Sequence, residues 1–169
     1  MVAWPADDSY EGFIAAHERS LLRFAYLITG EQADAEDVVQ DAIIKVARHW
    51  HRLRPEGALA YLRKAVTNEA LQRSRRAREV PADLSTLDRE ASPGALLRFE
   101  EDQAFFGHLQ QLPAKQRAAV VLRYYLDLPD ADIATQLSCS PQTVRSQIHR
   151  ALDHLRNSTS TRMEPRDEA

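Results

Sequence analysis

Six side chains in the C-terminal third carry the first chemical signal. Gln142, Ser146 and His149 recur at helical spacing, with Thr143, Arg145 and Arg150 beside them. Amide, hydroxyl, imidazole and guanidinium groups on one helical surface can meet base edges and phosphates. A solvated face on an ordinary helical pair is the competing reading, and the surrounding segment weighs against it. A second signal lies between Arg63 and Arg78, where six basic residues (Arg63, Lys64, Arg73, Arg75, Arg76 and Arg78) stand against one acid, Glu69. Such a patch can neutralise the phosphates of a nucleic-acid strand with strong salt dependence. A solvated helix end helped by its dipole is the plainer alternative. A third signal is the carboxylate pair Asp37 and Asp41, one helical turn apart. No nucleophile, histidine or companion acid is placed to make them a catalytic pair. Ion pairs with Lys45, worth a few tenths of a kcal/mol each, are the ordinary account.

Other chemistry is weakly represented. His17, His49, His51, His108, His149, His154 and Cys139 form no set at ligand or triad spacing. No catalytic residue, metal or cofactor is therefore expected, and an enzyme is the least supported class.

These residues need elements to position them, and the pattern predicts helices throughout. Around the first signal, Ile133, Ala134 and Leu137 mark a short helix, and Ser138-Cys139-Ser140 a break. Ser140 then caps a helix that begins at Pro141, where a missing N–H costs nothing. Val144, Ile148, Leu152 and Leu155 give that helix its buried stripe. The small Ala134 permits a close crossing, so Leu128 to Arg156 reads as a helix-turn-helix.

Upstream, Phe13, Ile14, His17, Leu21, Phe24, Ala25 and Ile28 share the face of a first helix that ends at Thr29-Gly30, with Gly30 as the C-cap. Val39, Ile43, Val46, Ala47 and Trp50 give the stripe of a second helix starting near Asp34. Leu59, Leu62, Val66 and Ala70 give that of a third, running from about Leu59 to Arg78. From Glu79 the chain turns proline- and acid-bearing and reads as a linker. Helical character returns with Leu96, Phe99, Phe105 and Leu109. A further helix starts at Leu112-Pro113 and carries Ala118, Val121, Leu122 and Tyr125. The expected fold is all-α: two small helical domains joined by a flexible linker, the C-terminal one a helix-turn-helix domain. The boundaries fall at 1–78 for the front domain, 79–103 for the linker, 104–156 for the second domain and 157–169 for a disordered tail.

Composition sets the remaining limits. The 169 residues, 44% of them hydrophobic, suffice for one domain or two small ones. A net charge of -3 excludes a globally basic coat, so local distribution must supply any affinity for nucleic acid. The single cysteine, Cys139, excludes an intrachain disulfide and suits a reducing cytoplasm. No apolar run approaches the roughly 20 residues of a membrane span, so a cytoplasmic chain without membrane insertion is expected.

The order of these pieces resembles the extracytoplasmic-function (ECF) group of bacterial sigma factors. Two motifs carry the resemblance. AYLITGEQADAEDVVQDAIIKVARHW (Ala25 to Trp50) is similar to the family's core-polymerase-binding helix. LPAKQRAAVVLRYYLDLPDADIATQLSCSPQTVRSQIHRALDHLR (Leu112 to Arg156) is similar to its promoter -35 domain. With LAYLRKAVTNEALQRSRR (Leu59 to Arg76) they cover most of the chain. The resemblance implies an initiation factor that binds core RNA polymerase at the beta-prime clamp and beta flap. Such a factor recognises double- and single-stranded promoter DNA and has no catalytic activity of its own. It places Asp37, Gln40 and Asp41 against the clamp, and the loop His51 to Ala58 where a -10 base is captured. Arg63, Lys64, Asn68, Arg73, Arg75 and Arg76 fall along the -10 strand. Gln142, Thr143, Arg145, Ser146, His149 and Arg150 fall in the -35 major groove. It also allows an anti-sigma partner that covers both domains, and a linker whose acids (Glu90, Glu100, Glu101, Asp102) either occupy the path of the RNA or belong to a plain tether.

Four positions depart from the family pattern. Gln72 replaces a common aspartate, and Pro129 a capping serine or threonine, leaving Asp130 or Asp132 to supply negative charge. Ser138 replaces a glycine, at a cost of about 1 kcal/mol if its backbone is left-handed. Asp153 places an acid on the outward stripe of the last helix. A stand-alone two-domain regulator is the alternative function; it explains the C-terminal motif and leaves Ala25 to Trp50 without a role.

Overall fold

The structure, a computed structural model, describes residues 9–79 and 100–161. Trp4, the linker stretch 80–99 with Glu90, Leu96 and Phe99, the side chains of Glu100, Glu101 and Asp102, and the tail beyond 161 lie outside the described residues.

Local chemistry sets the first helix, α1 (Tyr10–Thr29). The Ser9 hydroxyl accepts from the Gly12 N–H at 3.0 Å, and Gly30 at φ 83° closes the helix with its N–H on the Tyr26 carbonyl. Only a glycine takes that backbone without strain. Two residues later α2 (Gln32–Ala47) folds back against α1, and α3 (Pro55–Glu79) packs on both. A short 3-10 turn, Trp50–Arg52, links α2 to α3. Trp50 anchors that turn between Tyr10 and Phe13, with ring centroids 5.2 and 5.0 Å away.

The buried stripe of α2 differs from the one expected. Ala35, Val38, Val39, Ala42 and Val46 are buried, whereas Ile43 is half-buried and Ala47 exposed. Because α2 lies between two helices, its small Ala35 and Ala42 sit at the contacts and the larger Ile43 turns aside.

The second group contains α4 (Glu100–Gln110), α5 (Ala114–Val120), α6 (Asp130–Leu137) and α7 (Pro141–Thr161). The α4 helix begins within the expected linker, and α7 runs five residues past Arg156 into the expected tail. In α4 Phe106 and Leu109 are buried, Leu109 as expected; Phe105, also expected inside, is 40% exposed. A π-helical turn, Val121–Tyr125, extends α5, with the Leu126 N–H on the Val121 carbonyl. The α6–α7 turn follows expectation. Ser138 is left-handed at φ 52°, ψ 49°, and the Ser140 hydroxyl accepts from the Thr143 N–H at 3.1 Å. Val144, Ile148 and Ala151 are buried, with Leu152 and Leu155 half-buried beside them.

The two groups share one hydrophobic core. Tyr26 of α1 is fully buried and stacks on Phe106 at 4.7 Å, which explains why α1 buries more residues than one stripe holds. Polar contacts join the groups as well. Gln110 Nε2 donates to the Leu27 carbonyl at 3.1 Å, Arg117 Nη1 to the Ile28 carbonyl at 2.7 Å, and Gln136 Nε2 to the Ala60 carbonyl at 3.1 Å. Leu27 and Ile28 lie in the last turn of α1, whose carbonyls have no partner within the helix. Gln110 and Arg117 thus cap α1 from the other group. Arg117 is anchored on its own side by the Leu112 and Gln110 carbonyls, and burial, with the charge of Arg78, lowers its pKa.

Candidate nucleic-acid interface

The outward face of α7 carries all six candidates, Gln142, Thr143, Arg145, Ser146, His149 and Arg150, and each is exposed. Their freedom differs. Thr143 is bound into the cap with Ser140, and Ser146 donates to the Gln142 carbonyl at 3.1 Å. Arg145 reaches Asp130 at 3.3 Å, and the same carboxylate pairs with Arg123. Pro129 at the N-cap of α6 makes no side-chain cap bond, and the Asp130 carboxylate beside it serves these two arginines. Asp153, the acid on the outward stripe, holds His149 and Arg156 at 3.2 Å each. Arg150 makes no ion pair among the described residues.

The basic run on α3 splits into three directions because successive residues turn about 100° around a helix. Arg63 is half-buried between the groups; burial lowers its pKa, and the Tyr125 hydroxyl opposes that shift weakly. Arg73 turns to α2, where its Nε donates to Asp34 at 2.9 Å and its Nη2 to Asp37 at 3.0 Å. Burial works against its charge, but these bonds more than offset it and raise its pKa. Arg76 lines the same side as Asp34. Asn68, Gln72 and Arg75 line a cleft that faces the second group, and Lys64, half-buried, precedes Asn68 by one turn. A candidate for DNA, Arg73, and a candidate for polymerase, Asp37, are therefore partners of each other. Lys45, expected beside Asp37 or Asp41, pairs instead with Glu69 across on α3.

Asp37, Gln40 and Asp41 are exposed together on one face of α2. The loop residues His51 to Gly57 are exposed apart from a half-buried Leu53, and Ala58 is buried. Among the described residues no group of three or more His, Cys, Asp or Glu could hold a metal, and no helix is long and apolar enough to cross a membrane.

The largest addition to the sequence reading is the cleft of about 530 Å³ between the groups. It brings Asn68 and Arg75 of α3 opposite Arg150 of α7, so one residue of the -35 set shares a space with two of the -10 set. Nothing in the local pattern signals it. Arg117 likewise escapes sequence reading, since an arginine near the start of one helix has no local signature of capping another.

Comparison with known proteins accounts for both groups. Residues 13–80 match the family described as Sigma-70 region 2, and residues 108–155 that described as Sigma-70, region 4. The RNA polymerase sigma-E factor of Streptomyces avermitilis is 31% identical over 157 residues, covering 90% of this chain and 86% of the relative. The ECF RNA polymerase sigma factor SigL of Mycobacterium tuberculosis is 32% identical over 148 residues, covering 83% and 82%. Among solved structures, the sigma factor RpoE in complex with the anti-sigma factor NepR, from Bartonella quintana, superposes with a TM-score of 0.71 at 26% identity, covering 88% of this chain and 94% of that one. CnrH, in complex with the cytosolic domain of CnrY, shares the fold at a TM-score of 0.63 and 21% identity. Two exposed polar faces on a region 2 and a region 4 fold, with relatives matched along most of their length, make this chain a member of the ECF sigma factors, non-catalytic subunits that direct RNA polymerase to promoters.

Proposed function

We propose that this sigma factor divides its work between its two groups, with residues 1–78 and 104–156 as separate promoter-binding domains around the 79–103 linker. Asp37, Gln40 and Asp41 meet the beta-prime clamp of core polymerase, and the second domain meets the beta flap. The loop His51 to Ala58 captures a -10 base. Lys64, Asn68, Arg75 and Arg76 follow the opened strand, joined by Arg63 and Arg73 once their present contacts are released. Gln142, Thr143, Arg145, Ser146, His149 and Arg150 enter the -35 major groove. The observation that supports this most is the shared exposure of the α2 acids and of the six α7 side chains.

The arrangement of the groups adds a requirement. Elements centred on -35 and -10 are about 25 base pairs apart, roughly 85 Å at about 3.4 Å per pair. Arg75 and Arg150 line a single cleft, so the chain in this form cannot hold both elements. Closed and open forms interconvert, and polymerase and promoter select the open one. An anti-sigma partner, as the complex of the Bartonella relative suggests for this chain, would compete for the same faces.

Reconstitution with core polymerase tests this reading. Genome-wide initiation mapping should return one promoter class with paired -35 and -10 motifs, and Arg150→Ala should weaken its use. Absence of holoenzyme assembly, or initiation unaltered by substitutions on α7, overturns it.

A further inference from the structure

The cleft between α3 and the second group carries more positive charge than the promoter reading uses. Arg75 and Arg78 stand on the α3 wall, and Lys115 and Arg150 on the α5 and α7 wall; no acid lines the space. None of the four makes an ion pair among the described residues. Their neighbours are uncharged, some polar, such as Asn68 and Gln116, and some apolar, such as Leu71 and Leu137. The buried Oε1 of Gln116 has no hydrogen-bond partner among the described residues. Bringing four like charges around one space opposes closure. Closure holds through the apolar contacts and caps elsewhere, and the charges remain unanswered.

We infer that this cleft is a binding site for a compact polyphosphate, either a bare chain of linked phosphates or a nucleoside polyphosphate, which bridges the two groups and holds the closed form. Its volume of about 530 Å³ falls within the roughly 300–1,000 Å³ of small-molecule sites. Linked phosphates place several charges within a few ångströms, which matches cations converging from opposite walls. The Gln116 amide can donate to a phosphate oxygen or accept from a sugar hydroxyl. Opening moves Arg75 and Arg78 away from Lys115 and Arg150, so such a ligand binds the closed form more tightly and draws the population toward it. The site rests on the closed arrangement and uses Arg78 and Lys115, which the promoter reading leaves aside.

The test uses the full chain, calorimetry at constant ionic strength, and a spin-label distance between the groups. Inorganic tripolyphosphate and a magnesium-free nucleoside triphosphate are the probes, and citrate is the control for bare charge. Tripolyphosphate should bind, sharpen the short-distance population and compete with a -35 duplex. Lys115→Gln and Arg78→Gln should each weaken it roughly tenfold, the effect of one charged hydrogen bond, while Lys115→Gln leaves duplex affinity unchanged. Tighter binding of the nucleoside triphosphate assigns the ligand to nucleotides; equal binding assigns it to the bare chain. Citrate binding as well as tripolyphosphate, unchanged affinity in both variants, or binding without a change in distance overturns the site. Failure of the site leaves the promoter reading standing, since holoenzyme assembly and the motifs returned by initiation mapping do not depend on what occupies this cleft.

Discussion

Replacing Arg117 with methionine isolates one of the polar contacts that tie the two groups together. Methionine keeps most of the apolar stem and removes the guanidinium. Of the hydrogen bonds Arg117 makes, those to Leu112 and Gln110 stay within its own group, and only the 2.7 Å bond to the Ile28 carbonyl crosses to α1. A hydrogen bond from a charged donor contributes about 1.5–3 kcal/mol. Losing it should shift the closed-to-open ratio roughly ten- to hundred-fold, because about 1.4 kcal/mol is a factor of ten. Spin labels at Glu36→Cys and Thr135→Cys, in a Cys139→Ser background, report the distance between groups. Arg117→Met should enlarge the long-distance population. Any partner that needs the open form should bind more tightly by up to the same factor, since apparent affinity scales with the competent fraction. Arg117→Lys, which keeps charge but not the forked geometry, should fall between. A variant with a lower Tm, the same single distance and the same holoenzyme affinity would show that Arg117 stabilises one group and does not hold the closure, and the reasoning would be refuted.

Three further expectations follow from the same geometry. Asp130→Asn frees Arg145 and removes a negative charge near the DNA face, so affinity for a -35 duplex should rise, whereas Arg145→Ala should lower it by about 1–3 kcal/mol if the contact is to a base; a fall in both variants shows that Asp130 does not restrain Arg145. Asp41 has no ion pair among the described residues, so Asp41→Ala should weaken core-polymerase binding at unchanged Tm, while Asp37→Ala also loses up to about 1 kcal/mol of ion pairing with Arg73; equal Tm changes in a thermal melt contradict this. Burial and the charge of Arg63 lower the pKa of His17, so the unfolded chain binds its proton more readily and stability falls as pH drops from about 7 toward 5. Denaturant titrations of His17→Gln should show a shallower fall, and an identical slope excludes His17 as a source.

Much of the fold was legible because its signals are local. Ser140-Pro141 capped α7 as expected, Gly30 took the positive φ, and Ser138 adopted the left-handed turn where the family pattern has glycine. These depend on residues within a turn of each other, which sequence spacing reports directly. The α2 stripe was less legible, since periodicity cannot distinguish one neighbouring helix from two, and α2 has two. Phe105 and Phe106 were equally apolar choices, and only the stacking of Tyr26 decided between them.

The sequence alone determined the helices, their caps and the chemical character of three surfaces: acids on α2, cations on α3 and a mixed polar face on α7. Tertiary structure decided how those surfaces are used. It turned Arg73 onto Asp34 and Asp37, gave Lys45 to Glu69, set the half-buried Arg117 under the end of α1 and placed Arg75 and Arg150 around one cleft. The physical reason is separation along the chain. Caps and periodic stripes form between residues a few positions apart, whereas these contacts join residues 24 to 89 positions apart and exist only once the helices have packed.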